Sequence, residues 1–311
     1  MFSHQHSHPC VGHARASELA TDPAVVQLAF RHVRSHVAKV RPNASDLDLA
    51  AAWLRSEKHR AESLAEVNEC LLSTAGVSAG CRVVEVGAGT GETTLAAARA
   101  VGPAGSVTAL DSSAPMIEAL TRRMRQAGVA NFSTLVTRIE DADLPRGTFD
   151  AAIGRYVLML LGDPVAALAK IRTSLRTGTR AAMAVFASRE RNPFFSIPSD
   201  IFCRHGRLRA DDPDAPSLYR LGDPARLKRT FTDAGFGHVT VDTIESPLRI
   251  DSVGEACKVV ESAPFIRRLE VKLSAQQRAA AWREVEAYLR GLGEGSVVSA
   301  STQSLIAGGV A

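Results

Sequence analysis

The chain has 311 residues, 45% hydrophobic and 23% charged, which is enough to bury a full core and matches the composition of a soluble globular protein. Its 37 basic and 33 acidic side chains leave a net charge of +4, too balanced to argue for nucleic acid or an anionic membrane as partner. No apolar run approaches the roughly 20 residues needed to cross a bilayer, and five scattered cysteines (Cys10, Cys70, Cys81, Cys203, Cys257) without CxxC spacing argue against a zinc site.

Free thiols suit a reducing compartment, so a cytoplasmic location is expected. The N-terminus lacks the apolar core of a secretory signal, while its scarcity of acidic residues leaves a transit peptide open. Residues 1–20 carry His4, His6, His8, Cys10 and His13, which could be drawn as a metal-binding tract. A polar tail buries too little to fold by itself, so a disordered terminus is expected there and no metal is assigned. Thr21 or Asp22 can cap a helix with Pro23 in its first turn and Val26, Phe30, Val33, Val37 and Val40 on one face, and Pro42 stops it. Its basic outer face packs on its own domain, or touches a membrane or a second copy of the chain as a homodimer. A second helical region runs from about Asp46 to Ser73, so residues 21–79 read as a helical extension.

Residues 81–95, CRVVEVGAGTGETTL, then place a buried strand, three glycines and a helix in succession. That order brings bare backbone against a nucleotide-like ligand, because glycine allows positive φ and has no Cβ to hold the ligand away. Strands follow at 106–110, 131–137, 149–154 and 180–186, with a helix between Asp163 and Gly178. The alternation predicts a doubly wound, Rossmann-like α/β sheet, mostly parallel, over residues 80–311. It breaks at 188–222, a proline- and charge-rich segment with Phe194, Phe195, Ile197, Ile201 and Phe202, read as an irregular substrate cover. A helix at 224–236 and a strand at 238–244 restore the pattern, 252–294 is a second, helical insertion, and 302–310 closes a seven-stranded sheet whose last strand is antiparallel.

The glycines admit more than one reading. A Walker loop needs GxxxxGK[ST], and no lysine follows; a dinucleotide site needs GxGxxG, whereas this chain has GAGTG. Asp111 is more informative, since it ends the second strand 20 residues after Gly91, where a carboxylate can accept both hydroxyls of a ribose.

With EVGAGTG, LDSSAPMIEAL and IEDADLPRGTFDAAIGRYVLMLLGDPVAALAKIRTSLRTG in order, the chain resembles the class I S-adenosylmethionine-dependent methyltransferases, in the small-molecule branch that includes the quinone-biosynthesis C-methyltransferases. The match runs from about residue 80 to 187, and NPFF, DPDAP and RLGDPARLKRTFTDAGF resemble a subgroup with the same C-terminal layout. The resemblance implies that Glu85, Gly87, Ala88, Gly89 and Gly91 wrap the methionine part of S-adenosyl-L-methionine. It implies that Asp111 holds the ribose hydroxyls, with Ser112 beside it and Met116 against the adenine face, and that Gly154 and Arg155 meet the amino-acid end. The acidic residue expected at the adenine edge aligns with Arg138, a departure that passes the role to Ile139 with Glu140 or Asp141.

Methyl transfer from a sulfonium demands alignment, exclusion of water and, for some acceptors, a base; Tyr156, His205 and Tyr219 are the candidates. The aromatic content of the cover points to a hydrophobic or aromatic small-molecule acceptor, and packing of Phe194, Phe195, Ile197 and Phe202 in a core explains the same residues as economically. A fold of this kind also serves proteins that bind the cofactor without transferring methyl, and a nicotinamide oxidoreductase is a third class.

Overall fold

The computed structural model describes residues 51, 54, 63–208, 214–293, 295 and 297–311. The histidine-rich tail, the helix expected after Thr21 with the homodimer contact assigned to it, and most of the second helical region lie outside the described residues.

Strand β1 (Arg82–Val86) is central because both of its faces are apolar: Val83 turns to one side of the sheet and Val84 and Val86 to the other, all buried. It lies between β2 (Ser106–Asp111) and β4 (Phe149–Arg155), with β3 (Phe132–Val136) beyond β2 and β5 (Leu175–Phe186) beyond β4, all parallel. The chain returns through β6 (Gly237–Ile250) and β7 (Val298–Val310), and β7 inserts antiparallel between β5 and β6, giving the order β3-β2-β1-β4-β5-β7-β6. The doubly wound sheet with its antiparallel last strand is thus as expected.

Helices α1 (Ala65–Thr74), α2 (Glu92–Val101) and α3 (Ala114–Gln126) pack with Val83 and Val107 on one face. On the other, α4 (Pro164–Ser174) and α6 (Pro224–Asp233) cover Val84, Val86 and Phe149. Both of the latter start with an Asp-Pro pair: Asp163 accepts from the Ala166 N–H at 2.9 Å and Asp223 from the Arg226 N–H at 2.6 Å, each satisfying a donor that the first helical turn leaves open.

Three boundaries differ from expectation. Helix α4 ends at Ser174, not Gly178, because the chain enters β5 at once, pairing Leu175 with Phe149 before an irregularity that resumes at Arg180 and Ala151. Residues 188–222 are not wholly irregular, since Pro193–Gly206 form a helix, α5, despite the internal Pro198. Phe194, Pro198, Ile201 and Phe202 fall at helical spacing and are buried, and that burial outweighs the bond lost at proline. Finally, β6 and β7 run 14 and 13 residues, well past the strands predicted, and Pro247 is tolerated because β6 is the sheet edge.

The extended ribbon carries Leu248, Ile250 and Val298 into a third core, shared with α5, α7 (Val253–Ser262), α8 (Pro264–Glu270) and α9 (Ala275–Arg290). The two insertions therefore make one helical cap. No helix among the described residues is long and apolar enough to cross a membrane.

Phe202 is fully buried in the cap and meets Trp282 edge to face at 5.3 Å. Phe202→Ala is expected to cost about 3–5 kcal/mol of cap stability, seen as a lower urea midpoint by circular dichroism.

Candidate functional site

The site forms where β1, β2 and β4 end and their chains turn into helices. A Cβ on Gly87 would lie 2.5 Å from Val157 Cβ and one on Gly91 would lie 2.6 Å from Leu120 Cγ, so these two glycines allow the loop to press against its neighbours. At Gly89 an added Cβ would meet nothing within 4 Å, so there the backbone faces open space. Across from it, Asp111 Oδ2 accepts the Gly89 N–H at 2.8 Å while Oδ1 accepts the Ser113 N–H at 2.9 Å. Burial raises the Asp111 carboxyl above its ordinary value, and the two N–H donors pull the other way.

A cleft of about 470 Å³ opens along this line. Of the residues selected from sequence, Gly87, Ala88, Gly89, Asp111, Ser112, Met116, Ile139, Glu140, Arg155 and Tyr156 border it. Gly91, Gly154 and Glu85 lie behind its wall. Gly91 caps α2 against Leu120, and Gly154 sits where a Cβ would lie 2.7 Å from Met183 Sδ. Glu85 is 1% exposed and accepts from Thr94 Oγ1 at 2.6 Å, so it braces the loop from below. Burial raises its carboxyl to about 7, against the lowering effects of Thr94 and Arg155.

Arg155 is not a free cation. Its guanidinium donates to Glu92 Oε2 at 2.6 Å and to Asn68 Oδ1 at 3.0 Å, and the Arg155 and Glu92 side chains are 8% and 7% exposed. Thr93 Oγ1 donates to the same Asn68 oxygen at 3.1 Å. Asn68, Glu92 and Thr93 escaped the sequence reading. Glu92 was within reach, as the acidic residue opening α2 beside the glycines. Asn68 offered only a weak signal, a polar residue between the buried Val67 and Leu71 of α1.

At the opposite end, Arg138 occupies the position where the resemblance places an acidic residue. Its side chain is 62% exposed and pairs with Glu140 Oε1 at 3.2 Å. Glu140 Oε2 is buried and has no partner among the described residues, so the carboxylate at this edge of the cleft comes from Glu140. The Glu140 carbonyl is fixed in turn by Lys170 Nζ at 2.6 Å.

Tyr156 leaves β4 in a left-handed conformation, φ 58°, rare for a residue with a side chain. Its N–H donates to the Ala184 carbonyl at 2.8 Å, its hydroxyl meets Ser304 Oγ at 2.7 Å and its ring stacks on Phe186 at 4.4 Å. Burial raises the phenol pKa, which works against the base role expected from sequence. His205 lies off the cleft, with Nε2 2.9 Å from Glu284 Oε2 on α9. Tyr219 is also outside the cleft lining; its hydroxyl is buried without a partner among the described residues, and burial raises its pKa too.

Residues 77–230 match a family described as a methyltransferase domain. Aklanonic acid methyltransferase DauC of Streptomyces sp. is 35% identical over 103 residues, which cover 33% of this chain and 47% of that protein. The ubiquinone/menaquinone biosynthesis C-methyltransferase UbiE of Chromobacterium violaceum is 30% identical over 179 residues, covering 54% of this chain and 72% of the relative. Among solved structures, the YcgJ protein of Bacillus subtilis shares the fold at a TM-score of 0.51 and 18% identity, over 78% of this chain and 97% of that one.

The state of Glu85 gives a pH signature. Because its native pKa of about 7 lies above the ordinary 4.5, the native state retains a proton that the unfolded chain gives up. This contribution to stability is fully present below about pH 4.5 and is lost as pH rises through about 7. Glu85→Gln, which keeps an acceptor for Thr94, is expected to flatten the decline of the urea midpoint across that window; an unchanged slope would show that Glu85 is ionised throughout.

Proposed function

The chain belongs to the class I S-adenosylmethionine-dependent methyltransferases, and from that premise we propose that it methylates a hydrophobic, aromatic small molecule by in-line displacement. The observation that supports this reading most is that one cleft joins the open backbone at Gly89, the Asp111 carboxylate and the unpartnered Glu140 oxygen at one end to the Tyr156 ring at the other.

These groups fit the cofactor. Each Asp111 oxygen has accepted one N–H and keeps a lone pair for a ribose hydroxyl. Met116 and Ile139 offer apolar surface for the adenine, and Glu140 Oε2 an acceptor for its amino group. Arg155 and Glu92, already paired, present a donor and an acceptor to a carboxylate and an ammonium respectively. S-adenosylmethionine, when bound, supplies an electrophilic methyl group on a sulfonium, which becomes a neutral thioether as the nucleophile–carbon bond forms and the carbon–sulfur bond breaks.

The protein's contribution is alignment and exclusion of water, for which the cap is the cover. Among the described residues the cleft has no histidine or lysine in its wall. An acceptor that ionises readily, such as a phenol or hydroquinone, therefore suits it, since the proton is then lost without a strong base. The relatives named for aklanonic acid and for ubiquinone and menaquinone biosynthesis support the same class.

The test is to incubate the purified protein with S-adenosylmethionine and a panel of phenols, hydroquinones, amines and prenyl alcohols. A phenol or hydroquinone should gain one CH2 by mass spectrometry, with S-adenosylhomocysteine formed in equal amount. Methylation confined to the amines or prenyl alcohols would overturn the acceptor class.

A further inference from the structure

A row of aromatic rings leaves the cleft at Tyr156. Tyr156 stacks on Phe186, the last residue of β5, at 8° between planes; Phe186 meets the edge of Phe195 on α5 at 5.8 Å; Phe195 meets Phe265 on α8 at 6.1 Å. The rings come from two strand ends and two cap helices, so only the folded chain assembles the row. Phenylalanines that serve packing alone are closed off here: Phe194, Phe202 and Phe231 are 0% exposed. Phe194 even shares a turn of helix with Phe195 and already anchors it. Yet Phe186, Phe195 and Phe265 are each only half-buried, leaving ring surface that a ligand can cover.

A polar feature accompanies the row. Phe186 is paired in register with Ser304, whose hydroxyl meets Tyr156, so both side chains point to one face of the sheet. Two residues along β7, Thr302 pairs with Ser246 on that same face. Ser246 is 1% exposed, so its hydroxyl is sealed and takes no part in the row.

Resting on the methyl-transfer reading of the cleft, we propose that Phe186, Phe195 and Phe265 are the wall of the acceptor site. A planar ring system lies against them, with its reactive edge at Tyr156. Flat rings suit this wall because edge-to-face and stacked contacts reward a planar partner more than a flexible chain.

Calorimetry with a hydroxynaphthoquinone as probe, on the full chain saturated with S-adenosylhomocysteine, tests the assignment. Phe195→Ala and Phe265→Ala should each weaken the probe about tenfold, with S-adenosylhomocysteine affinity unchanged. Phe195→Leu, which preserves most of the volume, should also weaken it, so that a loss of fold is not mistaken for a loss of contact. Wild-type affinity for the probe in all three variants would overturn the proposal, as would a prenyl alcohol of equal carbon number binding more tightly than the planar probe. Failure of the wild type to bind S-adenosylhomocysteine would instead overturn the cleft reading on which the proposal rests.

Discussion

The hydrogen bond from the Gly89 amide to Asp111 Oδ2 is the contact on which the site depends. It joins the loop after β1 to the end of β2, 22 residues away in the chain, and it stands where Gly89 is open to the cleft. The parallel register puts this within reach: Val86 pairs with Leu110, and the Ala88 N–H donates to the Leu110 carbonyl at 2.9 Å, leaving Asp111 directly opposite the glycines. One carboxylate thus shapes the loop and remains available, through its other lone pairs, to a ligand.

Beneath and beside that loop the polar groups divide the work. Glu85 is sealed under the glycines with Thr94 as donor, while Arg155 is bound between Glu92 and Asn68 at the cleft wall. Buried ions are tolerated when paired and hydrogen-bonded, and Glu85, the more deeply buried carboxyl, meets its burial by a raised pKa. Asn68 makes α1 part of the site although it precedes the αβ repeat. The arrangement gives the Arg155 side of the cleft a rigid donor and acceptor, and leaves the Arg138 side a single carboxylate, Glu140, held by an exposed arginine.

Much of this was legible in the sequence because it is local. The strand-glycine-helix order, Asp111 at a strand end and the Asp-Pro caps depend on neighbours only a few residues apart, or on strict strand periodicity. What was missed depends on distance or on loops. Asn68 and Arg155 are 87 residues apart, and nothing in either neighbourhood announces the other. The loop after β3 has no periodicity, so the sequence left the carboxylate beside Arg138 open between Glu140 and Asp141, and the fold turns Glu140 to the cleft. Pro198 hid a helix whose apolar spacing was present all along, and the polar alternation of the edge strand β6 hid its full length.

The central claim is that Asp111 and the open glycine backbone make the nucleoside end of a cofactor site. Calorimetric titration of S-adenosylhomocysteine into wild type and Asp111→Asn measures it most directly, since asparagine keeps one of the two acceptors the loop uses and gives up the charge that two ribose hydroxyls would meet. The account predicts saturable binding to the wild type and at least about tenfold weaker binding to the variant. Equal affinity in the two proteins would contradict it.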